Sequence, residues 1–398
     1  MLKLSSDEWF NFELLRILSH TAYNGADVSE CLIAAEEIAP GDFESWYTAW
    51  NKRAERVLSH INDLKDPISI RDAMFRAATY TRAAEFFLHA NAEDQRIYSS
   101  WKRQAEYFNE AIARLENPGY RKLVKADGFE VPIIVFPAGK PGDTKKRPTI
   151  LMGSGFDGSM EEMYHLHGAP ALERGYNVVV YDGPGQPTVR RDQGLGFIHN
   201  WEAVVSPVID FLETLPFVDA KKIGLVGDSM GGYLCARAAA FEHRLAAVFQ
   251  IDGVYDFSAG VPFREAGELS KTLAGADDEA QTLAIINDPK SPTILRWLLG
   301  QGLWTFKVKS RTEFLEKLQP FNLVGVVDQI QCPVFVGCPE KDRSFHGQPE
   351  QIAKALGDKA TLARFTSEDG AEHHCHFGAA RYANAVMYDW FEEKVVKA

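Results

Sequence analysis

The stretch "IGLVGDSMGGYLCARAAA", residues 223–240, decides how the rest of the chain is read. It holds Gly227-Asp228-Ser229-Met230-Gly231, a serine framed by two glycines. A random chain of this length would contain G-x-S-x-G about one time in eight, so the pentapeptide alone decides little. Its surroundings decide more. An apolar, β-branched run precedes Ser229 and an Ala-rich helical run follows it. Strand, sharp turn and helix are the context that lifts a serine hydroxyl above a sheet. Flanking glycines permit the turn without a Cβ clash, and the helix N-terminus favours negative charge developing nearby. The bland alternative is a helix-capping serine between chance glycines.

Working outward, buried runs alternate with helical ones. "RPTILMGSGF", "YNVVVYDGPG", "KIGLVGDS", "LAAVFQIDGVYDF", "CPVFVGCPEKD" and "ATLARFT" read as strands. "MEEMYHLHGAPALERG", "NWEAVVSPVIDFLETL" (with Pro207 starting or kinking it), "QPEQIAKALG" and "ARYANAVMYDWFEEKVV" read as helices. Apolar strands alternating with helices predict a mostly parallel sheet covered on both faces. "YRKLVKADGFEVPIIVFPAG" reads as a hairpin ahead of it. Residues 1–118 are helical in texture, with a Ser-x-x-Glu-like cap in "SDEWFNFELLRILSHTAYN". From 258 to 320 the strands stop, and "REAGELSKTLAGADDEAQTLAIIN" and "SPTILRWLLGQGLWTFKV" are helical. The expected organisation is a helical segment 1–118, a core 119–257, a helical cap insertion 258–320 and the rest of the core 321–398.

A serine hydroxyl needs a base. With an elbow of this kind, the acid and the histidine follow in that order, each in a loop after a strand. "PVFVGCPEKDRSF" offers Asp342, the choice for its depth in the loop, with Glu340 as alternate. "EDGAEHHCHFGAA" offers His373, His374 and His376. The oxyanion needs two amide donors. These are expected from Met230, directly after the serine, and from Phe156 in "GSGFDGSMEE", where Gly153 and Gly155 let backbone approach a substrate. Asp157 beside it either orients or protonates substrate or caps the following helix.

Composition narrows the classes. The 398 residues are 45% hydrophobic and 25% charged, with net charge −12. That balance argues against a nucleic-acid partner. No apolar run is long enough for a membrane helix, and no signal-peptide pattern opens the chain. Five scattered cysteines suggest no disulfide framework, which together point to a cytoplasmic protein. Adjacent His373 and His374 point apart and no spaced Cys pair supports a metal site. Neither a phosphate loop nor a dinucleotide fingerprint is present. No metal and no cofactor are expected.

With these residues assembled, the chain resembles the α/β-hydrolase group that contains 2,6-dihydroxypseudooxynicotine hydrolase and the fungal hydrolases that shorten a heptaketide in pigment and polyketide pathways. The likeness runs through the helical N-terminus, "GSGFDGSMEE", "YDGPGQ", "KIGLVGDSMGGYLCARAAA", "GLWTFKVKS" and "EHHCHFGA". It implies an α/β-hydrolase fold with a helical N-terminal segment and a helical cap. It selects His374, the histidine before Cys375, over His373. It gives Asp157 a role beyond the triad, and implies a homodimer acting on a small-molecule acyl or β-dicarbonyl substrate. Pro187 departs from the glycine commoner after "GPGQ". The implied reaction is cleavage of a carbon–carbon or ester bond of a secondary metabolite by Ser229, His374 and Asp342. A cyclase or lyase on the same scaffold, or a non-catalytic binding protein, are the rivals. Phe263, Trp297, Trp304 and Phe306 of the cap are read mostly as core, with two, Trp304 among them, expected to face substrate.

Overall fold

The computed structural model describes residues 3–260, 262–263 and 278–398. The chain divides into two compact units, Met1–Pro118 with Ala266–Phe314, and Gly119–Glu265 with Leu315–Ala398. The helical reading of residues 264–277 lies outside the described residues.

The first unit is helical. Helices α1 (Glu8–Ser19), α2 (Val28–Glu37), α3 (Phe43–Ser59), α4 (Pro67–Glu85) and α5 (Arg96–Ile112) each bury one face. Aspartates start four of them. Asp7 caps α1 by accepting from the amides of Trp9 and Phe10, so the cap is this residue rather than a serine. Asp27, Asp42 and Asp66 do the same for α2, α3 and α4. Fully buried Trp46 and Trp50 sit in the core, where Trp46 packs on Phe10 and Phe87 and its indole donates to the Ala83 carbonyl at 2.8 Å. The helix Thr293–Phe306 belongs to this unit. Its Trp304 stacks on His89, and its Trp297 stacks on Phe86 and packs tilted against Trp9.

The second unit carries an eight-stranded sheet, built of β1 (Tyr120–Lys125), β2 (Glu130–Phe136), β3 (Arg147–Gly153), β4 (Asn177–Tyr181), β5 (Val218–Asp228), β6 (Ala247–Ile251), β7 (Val334–Pro339) and β8 (Ala360–Phe365). Their order is β1-β2-β4-β3-β5-β6-β7-β8. β1 and β2 form the antiparallel hairpin, β2 meets β4 antiparallel, and every other pairing is parallel. β4, β6 and β7 are buried along their whole length, as strands sandwiched between helices must be. Between strands run α6 (Met160–Met163) and α7 (Ala169–Glu173), joined by a π-helical turn at Tyr164–Gly168, then α8 (Pro187–Asp192), α9 (Glu202–Glu213) and α10 (Met230–Ala239). Pro207 lies inside α9 rather than at its start.

The excursion from the sheet starts and ends at one place. The Phe257 amide donates to the Phe321 carbonyl at 2.9 Å, and the Leu323 amide to the Tyr255 carbonyl at 2.8 Å. The described residues 258–260, 262–263 and 315–320 stay with the sheet unit, flanking that junction. Among the described residues, no helix is long and apolar enough to cross a membrane.

Candidate active site

β5 ends at Asp228 and α10 begins at Met230, so one residue makes the turn between them. That residue is Ser229, at φ 57° and ψ −124°. A side chain held at positive φ carries backbone strain that only its surroundings can sustain. Here the surroundings are tight. A Cβ on Gly227 would fall 1.9 Å from the Gly231 carbonyl oxygen, and one on Gly231 would fall 2.9 Å from the Ser154 carbonyl oxygen. Both glycines of the pentapeptide are required by close backbone approach. The Ser229 amide donates to the Ile251 carbonyl at 3.0 Å, tying the elbow to the end of β6.

His374 is the histidine that meets this serine. Its Nε2 lies 2.8 Å from Ser229 Oγ. Its Nδ1 lies 3.0 Å from Asp342 Oδ2 and 2.9 Å from Asp252 Oδ2. Two carboxylates thus share one ring nitrogen. Burial alone would lower the His374 pKa, but the Asp252 carboxylate foremost, with Asp342, holds it well above the usual histidine range. Asp342 is oriented by the Ser344 amide, which donates to its Oδ1 at 2.7 Å.

Asp252 has no counterpart in the sequence reading. It follows β6 directly, at φ 59°, and is completely buried. Its Oδ2 also accepts from the Cys375 amide at 2.6 Å. That bond helps hold the turn in which Cys375 and His376 both adopt positive φ, 53° and 55°, and which presents His374. The available signal was an aspartate closing a fully buried strand, "AVFQID".

The other candidates separate. His373 is half-buried with its Nε2 3.7 Å from Glu372 Oε1. His376 is buried against the Phe365 ring, with Nδ1 facing the Ala371 carbonyl. Glu340 accepts from the amide and hydroxyl of Ser367 at 2.7 and 2.8 Å. Asp157 is half-buried in the loop after β3, and the helix cap there is Ser159, whose Oγ accepts from the Glu162 amide at 3.3 Å. Trp304 lies in the helical unit. Asp252, His374 and Cys375 offer ligand atoms within 4.8 Å of one another. His374 Nδ1 already sits between two carboxylates, so that grouping is accounted for without an ion.

The loop after β3 runs against the elbow. A Cβ on Gly155 would lie 2.5 Å from the Asp228 carbonyl oxygen and 3.0 Å from the Met230 amide nitrogen. The following residue, Phe156, joins a group of rings in the same unit. Phe156 contacts Phe197, Phe257 and Phe263, Phe257 stacks on Phe345, and Phe345 packs on His374. Beneath the elbow, buried His167 stands with Nε2 3.1 Å from both oxygens of Asp228. Its Nδ1 is 2.8 Å from Asn384 Oδ1. The Asn384 Nδ2 donates to the carbonyls of Leu166 and Ala380, so its Oδ1 is left to accept from His167.

A parallel-sheet unit with a strained serine elbow after β5, a histidine after β8 and carboxylates after β6 and β7 defines a class of protein, the α/β-hydrolases. The chain belongs to the alpha/beta hydrolase family, whose model matches residues 150–385. It is 31% identical to Hydrolase LUC6 of Fusarium sp., over 99% of this chain and 98% of that protein. It is 32% identical to the 20-hydroxy-prefusarin hydrolase FUS2 of Gibberella moniliformis, over 98% of each. Among solved structures it is similar to the 2,6-dihydroxy-pseudo-oxynicotine hydrolase, with a TM-score of 0.68, 21% identity and 96% of each chain covered.

Proposed function

We propose that this protein is a serine hydrolase that cleaves a carbon–carbon or ester bond next to a carbonyl of a largely apolar secondary metabolite. The observation that carries the reading is the 2.8 Å approach of His374 Nε2 to Ser229 Oγ on a strained elbow. Full-length likeness to fungal hydrolases, one of them named for 20-hydroxy-prefusarin, supports the substrate class.

In this reading Ser229 Oγ attacks the carbonyl carbon while His374 takes its proton. Asp252 and Asp342 fix the tautomer that leaves Nε2 free to accept, and stabilise the imidazolium that forms. The Met230 and Phe156 amides hold the oxyanion. Collapse of the tetrahedral intermediate breaks the bond to the leaving group and leaves an acyl-serine. An alkoxide leaving group takes the proton from His374. A carbon leaving group departs as an enolate and takes a proton at carbon from Asp157, the auxiliary acid next to Phe156; Asp157 then regains a proton and the His374 imidazolium loses one by exchange with water, so that His374 is neutral again. Water activated by His374 then releases the acid and restores Ser229. The ring group around Phe156 and Phe257 supplies an apolar surface that strengthens each of these charge interactions.

The test is labelling with a fluorophosphonate, followed by turnover in oxygen-18 water of metabolites that accumulate in a Ser229→Ala strain. Wild type is expected to label at Ser229, and Ser229→Ala not at all. The released carboxylate is expected to carry oxygen-18. Labelling without oxygen-18 in any product would assign a cyclase or lyase instead. No labelling would overturn the nucleophile and favour a binding protein.

A further inference from the structure

The loop after β4 carries a side chain that the chemistry above does not use. Gln186 stands at the residue before α8 and is completely buried. Its Oε1 accepts from the Gly183 amide at 2.7 Å. Its Nε2 donates to the Ser154 carbonyl at 2.6 Å and lies 3.3 Å from both the Gly155 carbonyl and Ser154 Oγ. One partner is an amide donor and the others include two carbonyls, so the side chain has one satisfactory orientation. All its polar atoms are spent on the backbone of two loops.

The consequence lies on the far side of the loop. In a trans peptide the C=O and the following N–H point in opposite directions. Turning the Gly155 carbonyl toward Gln186 turns the Phe156 N–H away from it. Gly155 itself is pressed on the elbow, its Cβ position 3.0 Å from the Met230 nitrogen. We infer that Gln186 is a positioning residue for the oxyanion hole, holding the Gly155–Phe156 peptide so that the Phe156 amide is aimed beside that of Met230. The inference rests on the reading that these two amides receive the oxyanion. A Gly-rich turn with a glutamine two residues after a proline would otherwise pass as loop wall.

Two variants test it. Gln186→Met keeps length and burial but removes every hydrogen bond. Gln186→Glu keeps shape but sets a carboxylate against two carbonyl oxygens. Saturation kinetics of fluorophosphonate capture separate binding from chemistry. The maximal rate is expected to fall about 10- to 100-fold, part of what losing an oxyanion donor costs. The half-saturating concentration is expected to stay within about twofold. A crystal structure of Gln186→Met is expected to show the Gly155–Phe156 peptide rotated. An unmoved peptide with an unchanged maximal rate overturns the inference. Failure of both variants to fold also overturns it, since Gln186 would then serve the fold. If wild type does not label at Ser229, the serine reading fails separately, and the orientation of the peptide in Gln186→Met alone decides whether Gln186 positions it.

Discussion

His374 Nδ1 lies 2.9 Å from Asp252 Oδ2, closer than the 3.0 Å that separates it from Asp342. Two carboxylates therefore face one imidazole, and Asp252 is the first of them in raising its pKa. In the proposed mechanism the imidazole acts when neutral, so a raised pKa keeps it protonated to higher pH. The acid limb of the labelling rate is expected above the ordinary histidine range. Asp252→Asn removes the nearer negative charge, and the limb should move to lower pH while the plateau falls. Either Asp252→Asn or Asp342→Asn alone should cost about 10- to 100-fold, and the pair about 10⁴-fold. A pH profile of Asp252→Asn superimposable on wild type would remove Asp252 from this role.

The elbow predicts a ranking. Gly227→Ala would set a methyl 1.9 Å from a backbone oxygen, and Gly231→Ala would set one at 2.9 Å. The first contact cannot be relieved by a side-chain movement, so Gly227→Ala should lose fluorophosphonate labelling and lower the melting temperature. Gly231→Ala should do the same to a smaller degree. Thermal denaturation of both, with labelling, checks the order.

The buried pair under the elbow should be strongly coupled. Burial lowers the His167 pKa, but Asp228 outweighs it and the pKa stands above the usual value. His167→Leu would leave Asp228 buried without its partner, at a cost of about 3–5 kcal/mol. Asp228→Asn in the same background should recover much of that, because residues in contact are not additive. A histidine with a raised pKa stabilises below its unfolded pKa and loses that contribution as pH rises through its folded pKa. The deficit of His167→Leu should therefore be largest near pH 6 and shrink in alkali. Urea denaturation across pH measures it.

Asp182, at the end of β4, should make the fold less stable as pH rises. Burial foremost, then Glu161, pushes its pKa up to about 7. The unfolded value is about 3.9, so the folded state holds an extra proton between the two. Stability is expected to fall across that interval, by an order of 4 kcal/mol. Asn mimics the protonated acid and can still accept from the Thr188 amide, as Asp182 does at 3.0 Å. Asp182→Asn should raise the melting temperature relative to wild type at pH 8 and leave it nearly unchanged at pH 4.5.

Much of the fold was legible in local pattern. The wholly buried strands β4, β6 and β7 read as apolar runs, and the helices read by their spacing of apolar residues, because side-chain direction follows backbone period. Cap identity was less legible, as Asp7 shows, since several polar residues stand together before α1. The candidate site was legible where a turn places it. Ser229, and the order of Asp342 and His374 after it, follow from where strands end. The loop carboxylates Asp342 and Glu340 could be ranked but not separated by contact, and the structure turns them to different partners, His374 and Ser367.

By itself the sequence determined the alternation of strands and helices and the serine elbow, because period, glycine and φ are properties of neighbouring residues. Tertiary structure alone decided the rest. Pairing of β5 with β6 sets Asp228 beside Ile251 and so brings Asp252 to the histidine of a distant loop. Folding also brought Gln186 to the Gly155 carbonyl and His167 to Asp228. These contacts join residues that sequence spacing leaves unrelated, and the register of the sheet and the packing of helices on it are what make them meet.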